Sequence, residues 1–281
     1  MSFSDDVIWD KFPGNSLKYP VTQLPKVTIV IPTYNCVQFI PLTLESVLQQ
    51  DYPDFEVIII DANSTDRTLE VVKSYYDPRV RIYSVTNNQR YEMLNKGISL
   101  ATGTYINFLF PSDFYIHQNT LQAMMSLALD HDKPQLVYCG CLLRDGRSEV
   151  KVLFRDLSLD ILRKGQQPTS LQSCWFRLDL FRELGKFSID YELRGGFDLL
   201  CRFSLHGNFE TASTRRVFTD YDLRGYNRQM VVRHFLDTMR AVNRHFGVFA
   251  TIRWFGYQKD WARYMKLWMR SLQIAFRGSS N

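Results

Sequence analysis

The sequence predicts an α/β protein built on a doubly wound, mostly parallel sheet flanked by helices. Three observations predict it. Short apolar runs rich in β-branched residues recur, VTIVI at 27–31 and EVIII at 56–60, the pattern of strands buried on both faces. Segments with apolar residues at helical spacing lie between such runs. Strand and helix alternate at short intervals from 27 to 141, which is how parallel sheets are written in sequence.

Residues 1–26 read as irregular, because Pro13, Gly14, Pro20 and Pro25 break any periodicity. The first strand, 27–31, stops at Pro32, and Thr33, Tyr34 and Asn35 form the turn. A helix over 41–50 follows, with Leu44, Val47 and Leu48 inward and Pro41 in its first turn. The second strand covers 56–60, with Asp61 at its carboxyl end. Ala62 to Asp66 make a polar turn of helix-capping residue types. Leu69, Val72 and Tyr76 then recur at helical spacing. A third strand is predicted over 80–85. A helix over 91–101 buries Met93, Leu94, Ile98 and Leu100 and ends by Gly103. A fourth strand, 105–110, runs into Pro111, Ser112 and Asp113. Asn119 caps a helix to about residue 129, and 136–141 is strand again. The chain divides into an irregular segment, a main domain over 27–222, and a helical C-terminal extension over 223–281.

Composition narrows the function classes. A 45% hydrophobic and 22% charged chain of 281 residues is an ordinary soluble globular protein with enough length for one large core. Five cysteines without CxxC spacing suggest reduced, buried thiols in a cytoplasmic protein rather than disulfides or zinc. No apolar run has the length to span a bilayer, and the N-terminus, with Asp5 and Asp6, lacks a signal-peptide pattern. The net charge of +5 is uneven. Residues 221–281 hold eleven Lys and Arg against three Asp, so the rest of the chain is net acidic.

Two acidic turns sit at strand ends, one with Asp61 and Asp66, the other with Asp113. In open α/β sheets ligands bind outside the carboxyl ends of the strands. A carboxylate there can hydrogen-bond a nucleoside, or hold a divalent cation that bridges a diphosphate. The chain has neither GxGxxG after its first strand nor GxxxxGK[ST]. Acids without a glycine cradle point to nucleotide-sugar chemistry. The five histidines lack HExxH or CxxC companions, and Ser112 lacks a GxSxG context. Trp175, in SCWFR, is either a sugar-stacking ring or a core aromatic.

VTIVIPTYN (27–35), EVIIIDANSTDRT (56–68) and RYEMLNKGISLATGTYINFLFPSDFY (90–115) resemble the signature of family 2 glycosyltransferases with the GT-A fold. The resemblance runs from about 27 to 207. It is nearest in texture to the transferases of capsule, lipopolysaccharide and exopolysaccharide synthesis. It implies an inverting enzyme that uses a nucleotide-diphosphate sugar, in first place a UDP-sugar, with Mg or Mn, and a saccharide or polyprenyl-linked acceptor. By the same resemblance, Pro32, Thr33, Tyr34 and Asn35 lie against the nucleoside. Asp61 bonds the base, with Asn63, Ser64 and Asp66 continuing that loop. Asn95, Lys96 and Gly97 flank the sugar and phosphates, and Ser112 lies beside the donor.

Two motifs depart from the family pattern. Where relatives read Asp-Ser-Asp-Asp, this chain has Phe110, Pro111, Ser112 and Asp113, leaving Asp113 as the expected metal ligand. Where relatives read Glu-Asp-Tyr-Asp-Leu-x-x-Arg, this chain has Gly195, Gly196, Phe197, Asp198, Leu199, Leu200, Cys201 and Arg202. The base position falls on Gly196. Asp198 is the nearest acid, followed by Glu192 and Asp190. Asp198 is either the substitute base or an acid favoured by the helix dipole. Arg202 pairs within its helix or touches phosphate. The losses motivate a second reading, a degenerate member that binds a nucleotide sugar or a partner transferase without catalysis. A third is an unrelated nucleotide-binding regulator.

Residues 224–277 mix Phe235, Phe246, Phe249, Trp254, Phe255, Tyr257, Trp261, Tyr264, Trp268 and Phe276 with basic residues. Such helices either lie on an anionic membrane surface or pack their rings on the main domain. A peripheral position on the inner face of the plasma membrane follows from the first. No nucleic-acid motif accompanies the charge, so no nucleic-acid partner is expected.

Overall fold

The computed structural model describes residues 18–146, 151–225 and 227–257. Strands β1 (Val27–Thr33), β2 (Phe55–Asp61), β3 (Val80–Ser84) and β4 (Tyr105–Phe108) pair in parallel in the order β3-β2-β1-β4. Every residue of β1 and β2 is buried, as their unbroken apolar runs require. Successive side chains serve opposite faces. Val30, Ile58 and Ile60 join one core, while Ile29, Ile31 and Ile59 join the other.

The second half of the sheet differs from the expected parallel run. β7 (Cys174–Arg177) runs antiparallel between β4 and β5 (Leu136–Arg144). β6 (Lys151–Leu153) pairs antiparallel with β5, and β8 (Thr211–Asp222) lies parallel along it. The alternation over 27–141 therefore yields four adjacent parallel strands, with β5 separated from them by a later strand. Trp175 is a core residue, stacked on Tyr115 at a centroid distance of 6.0 Å. All five cysteines are free and buried.

Helices α1 (Ile40–Leu48), α2 (Thr68–Ser74) and α4 (Thr120–Asp130) cover one face; α3 (Arg90–Leu100) covers the other with α7 (Gly195–His206). The short α5 (Leu159–Arg163) and α6 (Leu180–Glu183) fill the connections around β7. Tyr76 does not continue the apolar stripe of α2. It takes φ 48° past the helix end and is 91% exposed. Asn119 stands at the start of α4 but makes no side-chain cap. α3 lies so close to β1 that a Cβ at Gly97 would meet Val30 Cγ1 at 2.4 Å, a contact only glycine permits.

α8 (Arg228–Tyr257) breaks at Gly247, where φ is 81°. Ala241, Val242 and Trp254 are buried in the core, with Phe235, Phe246 and Phe255 packed against it. Past the break, Val248, Phe249 and Ile252 face solvent, Phe249 at 90%. Some of the extension's rings therefore pack on the main domain, and these three side chains do not. Trp261, Tyr264, Trp268 and Phe276 lie outside the described residues. No helix among the described residues is long and apolar enough to cross a membrane.

Candidate active site

The carboxyl ends of β2, β1 and β4 lie side by side, with Thr33 opposite Asp61 and Val30 opposite Phe108. Asp61 is buried between two loops. Thr33 Oγ1 and Ser64 Oγ donate to its Oδ1 at 2.9 and 2.6 Å, and the Ser64 N–H donates to Oδ2 at 2.8 Å. Asn35 and Asn63 adopt left-handed backbone, φ 44° and 54°, which asparagine tolerates better than most residues. Asn35 Oδ1 accepts the Thr65 and Asp66 N–H groups, and its own N–H donates to Ser64 Oγ. Asp66 accepts from the Thr68 N–H at 2.9 Å and the Val37 N–H at 3.2 Å. The structure therefore brings Pro32, Thr33, Asn35, Asp61, Asn63, Ser64 and Asp66 into one braced rim. Tyr34 stands exposed on it. A carboxylate offers about four acceptor sites. Asp61 uses three of them on the two loops and is itself fully buried.

Asn95, Lys96 and Gly97 have other placements. Asn95 Nδ2 donates to the Phe187 carbonyl at 2.9 Å, and the Phe187 N–H donates back to Oδ1 at 3.0 Å. Lys96 is exposed. Gly97 is the close approach to Val30. None of the three lines the cavity described below. Asn95 thus clamps the loop at Phe187 and Gly97 permits the close packing of α3 on β1.

The turn Phe110–Asp113 is also braced. Ser112, at φ 85°, donates its N–H to Thr43 Oγ1 at 3.0 Å. Its carbonyl accepts from Arg144 Nη2 at 2.9 Å, and that guanidinium pairs with Asp220 at 2.8 Å. Asp113 is 3% exposed. Its Oδ1 accepts the Asp222 N–H at 2.8 Å, and its Oδ2 accepts a short bond from Gln172 Nε2. Burial pushes the Asp113 carboxyl up to about 7 despite those two donors.

The fold family implies a divalent cation, but these residues do not fit one. The sole acid of the motif has both oxygens turned to protein donors, and burial favours its neutral form. The first motif position is Phe110, an aromatic ring. No three metal-ligating side chains converge among the described residues.

Beside this turn opens a cavity of about 260 Å³, lined by Arg90, Phe110, Arg155, Gln172, Arg194 and Gly196 among others. The Arg90 guanidinium lies over the Phe110 ring, 4.5 Å from its centroid. Arg155 Nη1 donates to the Gln167 carbonyl at 3.2 Å. Arg194 donates to Gln167 Oε1 at 2.9 Å and to the Gly165 carbonyl at 2.7 Å, and lies over Phe197. His234, also in the lining, is held neutral, its pKa pushed down to about 3 by burial and by the Arg194 charge. Among the described residues no carboxylate lines this cavity.

The acids expected to act as base do not reach it. Asp198, 1% exposed, is bonded on Oδ1 to His245 Nε2 at 2.8 Å and on Oδ2 to Arg202 Nε at 2.9 Å. Burial alone would raise its pKa, but His245 and Arg202 outweigh it and hold the carboxyl below its ordinary range. Arg202 also donates to the Leu184 and Lys186 carbonyls. Asp198 therefore ties α7 to α8 and to the loop after α6. Glu192 is exposed and pairs with Arg233; Asp190 pairs with Arg244 at 3.1 Å. Gly196 itself does line the cavity. Its neighbour Gly195 lies against Tyr91, where a Cβ would fall 2.7 Å from Cζ. A Cβ at Gly196 would meet only Leu171 Cδ1 at 3.4 Å, an ordinary contact.

Sequence reasoning missed Arg90, Arg155, Arg194 and Gln172. Arg90 opens a recognised motif and carried that much signal. The others come from separate loops and have no shared spacing.

The Glycosyl transferase family 2 profile matches residues 28–184. A PGL/p-HBAD biosynthesis glycosyltransferase of Mycobacterium bovis is 27% identical over 224 residues, 78% of this chain and 86% of that protein. The hyaluronan synthase of Pasteurella multocida is 30% identical over 183 residues, 62% of this chain and 19% of that one. Among solved structures, S. aureus TarS 1–349 in complex with UDP-GlcNAc superposes with a TM-score of 0.65 at 18% identity, over 86% of this chain and 70% of that one. The mannosyltransferase PcManGT of Pyrobaculum calidifontis, in complex with GDP-Man and Mn2+, does so at 0.63 and 20% identity, over 94% and 80%. These likenesses identify the fold as GT-A, and the profile match, covering more than half of the sequence, makes the chain a glycosyltransferase that belongs to glycosyl transferase family 2.

Proposed function

We propose that the chain is an inverting transferase that moves a sugar from a nucleotide-diphosphate sugar, in first place a UDP-sugar, to a saccharide or polyprenyl-linked acceptor in surface polysaccharide synthesis. The observation that carries this reading is the braced rim around Asp61 on the same sheet edge as the Phe110–Asp113 turn. That edge is the switch point of the sheet, where ligands of open α/β sheets bind, and the Phe110–Asp113 turn borders the arginine-lined cavity. In such a transfer the acceptor hydroxyl attacks the anomeric carbon from the face opposite the diphosphate. A base takes the hydroxyl proton as positive charge develops on the sugar ring, and the nucleoside diphosphate leaves. Asp61 would hold the nucleoside. Tyr91 and Gly195 would fix the start of α7 where the acceptor enters.

The division into a main domain over 27–222 and an extension from 223 belongs to the same proposal. So does a cytoplasmic enzyme resting on the membrane. Val248, Phe249 and Ile252 project beyond Gly247 beside Arg253, an apolar tip with a basic flank that suits an anionic leaflet carrying a lipid-linked acceptor.

A screen of nucleotide release from UDP-, GDP- and dTDP-sugars, run with Mg, with Mn and with EDTA, tests the reading. Sugar-dependent release from one nucleotide class supports it; none from any class overturns it. A second reading is favoured by one observation: among the described residues no carboxylate lines the cavity at Gly196. It makes the chain a nucleotide-sugar binder without turnover, and the same screen would then show affinity but no release.

A further inference from the structure

The cavity beside the Phe110–Asp113 turn holds three guanidinium groups and, among the described residues, no acid. Arg194 is buried and held in place by Gln167 and Gly165. Among the described residues neither Arg90 nor Arg155 has a carboxylate within ion-pair distance; Arg90 lies on an aromatic ring and Arg155 on a backbone carbonyl. Concentrating like charges in a partly desolvated space is costly unless an anion completes it. Planar guanidinium forks match phosphate oxygens in pairs. Elsewhere in nature a carboxylate turn recruits a cation that bridges the phosphates. Here the first position of that turn is Phe110, whose ring face supports a guanidinium instead. The positive charge is thus covalently part of the chain.

We infer that Arg90 and Arg155, with Arg194 behind them, bind a diphosphate in this cavity without a divalent cation. The inference rests on the nucleotide-sugar reading for its ligand, the donor diphosphate; a polyprenyl diphosphate offers the same chemistry and is separated by the test. Gln172 has a positioning part. It lines the cavity while its amide nitrogen is bonded to Asp113, which turns the buried acid away from the anion.

Calorimetric titration of the full chain with inorganic pyrophosphate, UDP and uridine, all in EDTA, tests this. Pyrophosphate and UDP should bind in EDTA, and Mn should change neither affinity more than twofold. Arg90→Gln and Arg155→Gln should each weaken both ligands about tenfold or more, the loss expected for a charge-assisted bond, and leave uridine unchanged. Arg90→Lys should recover part of the loss if charge is what matters. Asp61→Ala should weaken UDP and not pyrophosphate. Circular dichroism on each variant separates a binding loss from unfolding, and Arg155→Gln, at the partly exposed wall, gives a second route should Arg90→Gln fail to fold. Affinity that appears only with Mn, or that both arginine variants retain, overturns the inference. Pyrophosphate displaced by farnesyl diphosphate but not by UDP overturns the donor assignment. Transfer activity that requires Mn would sink this inference and leave the transferase intact; pyrophosphate binding in EDTA without any turnover would do the reverse.

Discussion

Asp198 accepts a hydrogen bond from His245 Nε2 at 2.8 Å, across the contact between α7 and α8. With Arg202 on its other oxygen, this acid is a structural joint. Asp198→Asn should therefore cost about 3–5 kcal/mol of stability, the range for breaking a buried ion pair from one side. UDP affinity of the folded fraction should be unchanged. Urea unfolding and calorimetry measure the two. Full stability with a loss of turnover of about 10²-fold or more would return Asp198 to the role of base.

Gly196→Asp places a carboxylate on the cavity wall with room for its Cβ. Nucleotide release should rise by about 10²–10⁴-fold, the usual worth of a general base, if the chain lacks one. An unchanged rate in a folded variant would mean that the proton leaves by another group.

Asp61→Ala removes the proposed acceptor for the nucleoside and the brace between two loops. UDP binding should weaken by about 1.5–3 kcal/mol, read by calorimetry. Thr33→Val removes one brace and keeps the carboxylate, so it should lower Tm while retaining most of the UDP affinity. Equal losses of affinity in both variants would make the brace, rather than the carboxylate, the cause.

Two groups, the buried Asp113 and the half-buried His234, pull stability in opposite directions with pH. The folded Asp113 carboxyl, at about 7, sits above its ordinary 3.8. Between these values the unfolded chain gives up a proton that the folded chain keeps, so stability falls as pH rises. His234, at about 3, sits below its ordinary 6.5, so its contribution is present above 6.5 and is lost as pH falls. The Tm of Asp113→Asn relative to wild type should become more favourable from pH 4.5 to 7.5. That of His234→Gln relative to wild type should be more favourable at pH 4.5 than at 7.5. Parallel Tm curves for a variant and wild type would show that its group does not titrate as described.

Phe249→Ser and Ile252→Ser alter side chains that face solvent, so folding should be unaffected. Flotation with anionic vesicles should lose most of the bound protein, and wild-type binding should decline with added salt. Equal flotation of variant and wild type would remove this tip from the membrane contact.

The parallel half of the sheet was legible because β1 and β2 are buried on both faces and therefore read as unbroken apolar runs. That Asp61, Asn35 and Asp66 share one neighbourhood was legible for a related reason. Their partners lie in two short loops that the strand register brings together. The hydrogen-bond partners of Asp113, Gln172 and the Asp222 N–H, come from 59 and 109 residues away, so no local pattern announced them. The close approach of Gly97 to Val30 was not legible either, since a motif does not say which neighbour a glycine lies against. Asp198 stands in the expected turn of the expected helix, but the direction of its side chain is set by His245 on α8, which no local pattern connects to it.

β7 is only four residues long, yet it is the seam between two halves of the sheet. Until residues 174–177 have been synthesised, β4 and β5 both present unpaired edges toward the place it will fill. The parallel strands β1 to β4 need only the first 108 residues and are available early. Joining β5 to them waits for β7, made about thirty residues later, and β8 follows later still, a long-range closure of the kind that slows folding. Chains interrupted before Arg177 should carry the facing edges of β4 and β5 open, together with the edge of β5 that β8 later covers, and aggregate through them, whereas a few more residues of synthesis supply the strand that seals the facing pair.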